Sequence, residues 1–174
     1  MKLSIREIVI FGMLGGVIAA SKMLMEFLPN IHLIGVFIVA MTVVYRWKAL
    51  YPIYVFVMII GLLFGFSTWW IPYLYIWLPL WGVTMLLPQK MSPKVAVVVY
   101  CIVNALHGLC YGTLYAPFQA IISGFSFRTT IAWIVAGLPW DCVHSAGNLV
   151  GGLLIVPLIR LLRMCNKILD NGSL

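Results

Sequence analysis

Long apolar runs alternate with short polar breaks along this chain, and the spacing of the breaks predicts six helices. The runs cover about 4–27, 31–45, 49–66, 73–87 and 94–115, and a last one closes near Arg163. Pro29-Asn30, the basic Arg46-Trp47-Lys48 and the polar Pro88–Pro93 stretch interrupt them as turns. Each crossing of a bilayer needs roughly 20 apolar residues, so these runs are long enough to span one. The stretch 116–138 is apolar but cut by Pro117, Gly124 and the polar run Ser123–Thr130. It reads either as a surface hairpin or as the outer half of a long kinked sixth helix, which then starts near Thr129 rather than near Leu138. A seventh crossing is disfavoured by the same polar run.

Composition turns these runs into a membrane protein. The 174 residues are 64% hydrophobic and only 9% charged, where a soluble domain carries about a quarter. Mean hydropathy is +1.10. The expected fold is an all-α integral membrane protein, one domain over 1–174, with no separate soluble domain. The first apolar run continues past the length of a signal core, so no cleavable leader is expected. The four cysteines, Cys101, Cys110, Cys142 and Cys165, have no CxxC spacing and read as free, small apolar residues. Six crossings place Lys2, Arg6, Arg46, Lys48, Lys90, Lys94, Arg160, Arg163 and Lys167 on one side and only Lys22 and Arg128 on the other. Nine basic residues against two predict that both ends are cytoplasmic. The net charge of +7 therefore reports topology, not nucleic-acid binding.

Polar residues inside apolar helices mark the candidate chemistry. Asp141, His144 and Asn148 stand at i, i+3 and i+7 and share one helical face. Asn104, His107 and Tyr111 repeat that spacing on the fifth helix. Ionisable groups at membrane depth are costly and face a cavity or a partner rather than lipid. Two such faces can line a cavity between them, or seal against each other as a hydrogen-bonded network that fixes helix register. The run Ser67–Trp81, which holds Trp69, Trp70, Tyr73, Trp77 and Trp81, is denser in aromatics than interfacial anchoring requires. Trp69, Trp70, Tyr73 and Trp77 suit a flat or cationic ligand through stacking and cation–π contacts. Glu26, Asn30 and His32 in the first turn, with Gln119 and Arg128 in the third, gather at the same outer side. In the first helix Gly12, Gly16 and Ala20 recur at four-residue spacing, and so do Gly15 and Ala19, a surface that lets another helix approach closely.

Enzyme chemistry finds no foothold in the sequence. No HExxH, GxSxG or P-loop occurs, and the four acidic residues form no close pair, so ATP would be used by another subunit. His32, His107, His144 and Asp141 follow no ligand spacing for a metal. No cofactor is expected.

The small-residue face of the first helix and a last helix reading GLPWDCVHSAGNLVGGLLIVPL resemble the substrate-binding (S) components of energy-coupling factor (ECF) transporters. The resemblance implies a small vitamin-like or heteroaromatic compound bound near the extracellular side of a bacterial plasma membrane. It implies as partners a transmembrane coupling subunit, packed on Gly12, Gly16, Ala19 and Ala20, and two cytoplasmic ATPases. The family motif is usually written with alanines where this chain has Gly12 and Gly16. The binding set expected here is Trp69, Trp70, Tyr73, Trp77, Asn104, His107, Tyr111, Asp141, His144 and Asn148. Two other readings compete: a six-helix scaffold for envelope assembly, whose polar faces need no cavity, and an S component that takes up a metal ion.

Overall fold

The computed structural model describes residues 3–171, which are helical throughout apart from turns and contain no strand. Lys2 and the residues after 171 lie outside the described part. Helix α1 (Ile5–Leu24) starts at a capping box. The Ser4 hydroxyl accepts from the Glu7 N–H, and the Glu7 carboxylate accepts from the Ser4 N–H. Residues 25–33 then turn irregularly, with Asn30 at φ 58°. Helix α2 (Ile34–Tyr45) is apolar on every side and lies innermost, with Ile34, Val36, Ile38, Val39, Ala40 and Met41 all buried.

Arg46 follows at φ 56° and opens a 3-10 turn, Arg46–Ala49, before α3 (Leu50–Phe64). This turn reverses the chain. Glu7 pairs with Lys48, Gly15 faces Val55, and Lys22 lies over the Phe64 ring, so α1 and α3 run side by side in the same direction. Helix α2 runs against them, because Tyr45 at its end packs edge-on to Phe11. Gly65, at φ 88°, stops α3 in a backbone conformation that side chains resist.

The helix predicted over 73–87 begins later than expected. Thr68–Leu74 is 3-10, and α4 occupies only Leu78–Leu86. Pro72 and Pro79 have no N–H to give to a continuous α-helix, and the Tyr75 N–H turns back onto the Pro72 carbonyl. The run predicted over 94–115 divides into α5 (Pro93–Leu109) and α6 (Tyr111–Ser123), with a break at Cys110. An unbroken helix would send the Gly112 N–H to the carbonyl four residues back. Here it goes to the Asp141 carboxylate, at 3.1 and 3.2 Å.

Gly124 caps α6 in the left-handed conformation, and Ser126 starts α7 (Phe127–Gly151) by accepting from the Thr129 N–H. Of the two courses open for 116–138, the chain takes a hairpin whose second arm is the outer part of a long last helix. After a 3-10 turn at Gly152–Leu154, α8 (Ile155–Asn171) completes it.

The chain thus passes back and forth between two ends of one bundle. Arg6, Tyr45 and Asn166 meet at one end, where Arg46 also reaches the Met85 carbonyl at 2.6 Å. Arg46, Arg163 and Lys167 line a recess there. Among the described residues four runs of helix are long and apolar enough to cross a membrane by length and composition: Ile5–Leu24 and, counted across their internal breaks, Ile34–Phe64, which doubles back at Arg46, Pro93–Ser123 and Phe127–Ile168. Leu62, Leu86, Val98 and Val150 stand exposed on the outside of the bundle, which suits lipid as the surrounding solvent.

Candidate functional site

At the end opposite the basic cluster, residues 25–33 lie over a cavity of about 190 Å³. His32 from this turn, Tyr73 from the 3-10 segment, Tyr111 at the start of α6 and His144 from α7 wall it, and Lys22 and Glu26 stand at its rim. The break at Cys110 and the Gly112–Asp141 bond fix where Tyr111 begins α6. Asp141 therefore acts here as a clamp and does not line the cavity.

The walls are aromatic and meet edge to face. The His144 ring lies 4.7 Å from His32 and 4.9 Å from Tyr111, centroid to centroid. Trp77, only 1% exposed, sits just below, 6.3 Å from His32 and 5.8 Å from His107. At the rim the Lys22 ammonium is paired with Glu26 at 2.6 Å. His32 lies outside the apolar helices, and burial, reinforced by His144, His107 and Lys22, pushes its imidazole down to about 3.

Beneath the cavity lies a column of polar atoms. Asn104 and Asn148 bind each other: the Asn104 amide donates to the Asn148 carbonyl at 2.8 Å, and the Asn148 amide to the Asn104 carbonyl at 3.1 Å. His107 Nε2 lies 2.9 Å from the Ile76 carbonyl. Yet His32 Nδ1, His144 Nε2, Trp77 Nε1, His107 Nδ1, Asn104 Oδ1 and Asn148 Oδ1 are buried with no hydrogen-bond partner. Among the described residues these six are all the buried side-chain polar atoms in that condition: four belong to rings in contact, His144–His32–Trp77–His107, and two to the Asn104–Asn148 pair. Each costs about 1–3 kcal/mol when left unpaired, so their concentration marks a place that is completed by something else.

The ten residues expected to bind ligand fall into three places. Tyr73, Tyr111 and His144 line the cavity. Trp77, Asn104, His107 and Asn148 make the column below it. Trp69, Trp70 and Asp141 lie outside both: Trp70 donates to the Val57 carbonyl at 2.8 Å and ties the 3-10 segment to α3, and Trp69 packs edge-on to Tyr73 at 5.5 Å. His32, Lys22 and Glu26 join the site although no helical periodicity links them to it. Their signal in the sequence is their position in the first outer turn.

On α1, Gly12, Gly16 and Ala20 lie on the outside, with open space around both glycines. Ala19 is buried, and Gly15 meets α3. Among the described residues no group of three or more His, Cys, Asp or Glu side chains is arranged to hold a metal ion. Comparison of the chain with protein-family models, curated proteins and solved structures finds no match in any of the three.

Proposed function

We propose that this chain is the substrate-capturing membrane subunit of an importer of the energy-coupling factor type. In this reading it crosses a bacterial plasma membrane six times with both ends in the cytoplasm, and it holds a small vitamin-like or heteroaromatic compound in the recess under residues 25–33. ATP hydrolysis belongs to partner ATPases, which act through a coupling subunit packed on the outer face of α1. The observation that carries the reading is the aromatic cavity walled by His32, Tyr73, Tyr111 and His144, in which the buried His32 Nδ1 and His144 Nε2 have no hydrogen-bond partner. Buried polar atoms without a protein partner take one from ordered water or from a ligand, and a recess beside them gives either a place. The collection of basic side chains at one end of the bundle supports the orientation.

The scaffold reading has one observation in its favour, the Asn104–Asn148 clasp, which seals α5 to α7 without a ligand. Mass spectrometry of the purified protein separates the two. Wild type should carry a small ring compound that His144→Ala loses while staying folded. Wild type with no bound compound supports the scaffold, and bound metal would support metal uptake.

A further inference from the structure

We propose that the basic recess at the end of the bundle opposite the aromatic cavity holds the phosphate of an anionic membrane lipid. Arg46 reaches it from the turn between α2 and α3, and Arg163 and Lys167 reach it from one face of α8, where they stand at i, i+4. Among the described residues no carboxylate lines the recess. The same end does pair charges elsewhere, since Glu7 is bonded to Lys48. Arg163 and Lys167 have no hydrogen-bond or ion-pair partner among the described residues. Arg46 gives one N–H to the Met85 carbonyl, in the last turn of α4, which fixes the guanidinium and leaves its other N–H donors to the recess. Asn166 adds a neutral donor. Its side-chain oxygen accepts from the Tyr45 hydroxyl at 3.1 Å, so its amide nitrogen is the atom left over. An orientation signal requires basic residues at this end, but it does not require three of them to converge without a counter-charge. Like charges repel, and a phosphate among them removes that cost and accepts from every donor present.

The surroundings of the recess favour a lipid as the source of that phosphate. Val43 and Val44 form its apolar wall. Leu86, next to Met85 on α4, and Met164, next to Arg163 on α8, stand exposed beside it. A lipid with its phosphate among the cations lays its acyl chains over this apolar surface, whereas a soluble phosphate gains only the charged half of the contact. Trp81 marks the level of the site. Its indole N–H reaches the Arg46 carbonyl at 3.4 Å, and tryptophan gathers where the headgroups of a bilayer lie. In the proposed orientation this end meets the inner leaflet, whose anionic lipids attract basic segments. The inference goes beyond the capture reading and does not depend on what the aromatic cavity holds.

Native mass spectrometry of the purified full-length chain tests this with four probes offered separately: dioleoylphosphatidylglycerol, dioleoylphosphatidylcholine, glycerol 3-phosphate and a hexaglutamate peptide. Phosphatidylglycerol should be retained at least about tenfold more tightly than any of the other three. The double variant Arg163→Gln/Lys167→Gln should lose that preference, and Arg128→Gln, at the start of α7 and the opposite end of the bundle, should keep it. Equal retention of the two lipids, or phosphatidylglycerol held by the double variant as by wild type, overturns the proposal. Glycerol 3-phosphate bound as tightly as the lipid assigns the recess to a soluble phosphate, and hexaglutamate bound more tightly assigns it to an acidic protein segment; either result overturns the lipid. Arg163 and Lys167 are both exposed, so the double variant keeps the core intact, and the comparison of probes on the wild-type protein stands without it.

Discussion

Asn104 on α5 and Asn148 on α7 each give their side-chain amide to the other's backbone carbonyl, across 44 residues of chain. The exchange fixes the register of the two helices, because a slip of one residue on either would break both bonds. It also explains why Gly35 and Gly108 are glycines. A Cβ on Gly35 would stand 2.1 Å from Asn104 Oδ1, and one on Gly108 would stand 2.8 Å from Asn148 Nδ2.

Removing one amide should cost little. The Asn148 carbonyl also accepts from the Gly152 N–H, so Asn104→Ala leaves it bonded. We expect Asn104→Ala and Asn148→Ala each to lower stability by about 1 kcal/mol, the usual worth of a single hydrogen bond, and the two losses to add. Thermal unfolding of the single and double variants in detergent measures this. A loss of several kcal/mol in either single variant would show that the clasp depends on both bonds together.

Gly35→Ala should do much more damage than either asparagine variant. The new methyl group would overlap the side-chain oxygen of Asn104, itself held by Asn148, so relieving the clash means breaking the clasp or moving α2. A loss of about 2–3 kcal/mol is expected, in the range of overpacked cores. Gly82→Ala is the control, since nothing lies within 4 Å of a Cβ there, and its unfolding temperature should be within a degree or two of wild type.

The asparagines and His144 were legible in the sequence because helical periodicity alone puts polar residues on one face. So was the closeness of the fifth and last helices. What periodicity does not encode is a bond between distant elements. The break at Cys110 depends on Asp141 capturing the Gly112 N–H, and no local signal around Cys110 announces it. The same holds for the aromatic segment. Its density marks the place, but Trp70 points away from the cavity because the Val57 carbonyl takes its N–H, whereas Tyr73 and Trp77 turn toward His32 and His144. His32 is brought over the site by the turn after α1, where Asn30 adopts a left-handed φ. Turn conformations of that kind are set by tertiary contacts as much as by sequence.

The two small-residue stripes of α1 should separate folding from assembly. A Cβ on Gly15 would come within 2.4 Å of Val55, so Gly15→Leu should prevent α1 from packing on α3 and leave little folded protein. Gly16 faces open space, and Gly16→Leu should fold and bind ligand as wild type does. Under the proposed function it should fail to retain the coupling subunit in a pull-down from membranes. Equal recovery of the coupling subunit with Gly16→Leu would move the partner surface elsewhere.

Asp141→Ala should loosen the start of α6 rather than empty the cavity directly. Without the carboxylate the Gly112 N–H loses both of its acceptor oxygens, and hydrogen exchange at Gly112 should quicken by about tenfold or more. Asp141→Asn keeps an acceptor oxygen at the same place and should restore slow exchange. If both variants exchange as slowly as wild type, the break at Cys110 is held by something other than this bond.

Stability should also fall with acid through His32. Its imidazole ionises at about 3 in the folded protein, against about 6.5 in an unfolded chain, because burial and the neighbouring His144, His107 and Lys22 disfavour the charge. The unfolded chain therefore binds a proton below pH 6.5 that the folded protein refuses. The stabilisation conferred by a neutral His32 is complete above that pH and is lost as pH falls toward 3, at up to about 1.4 kcal/mol per unit. Glu26, His144, Tyr73, Tyr111 and Lys22 line the same cavity. These groups are common to wild type and variant, so the test is a comparison. Melting temperatures of wild type and His32→Gln, followed from pH 7.5 to pH 5, should diverge, with the wild type falling more steeply. Parallel curves would mean that His32 takes up its proton in the folded state, which requires the turn over residues 25–33 to open to water.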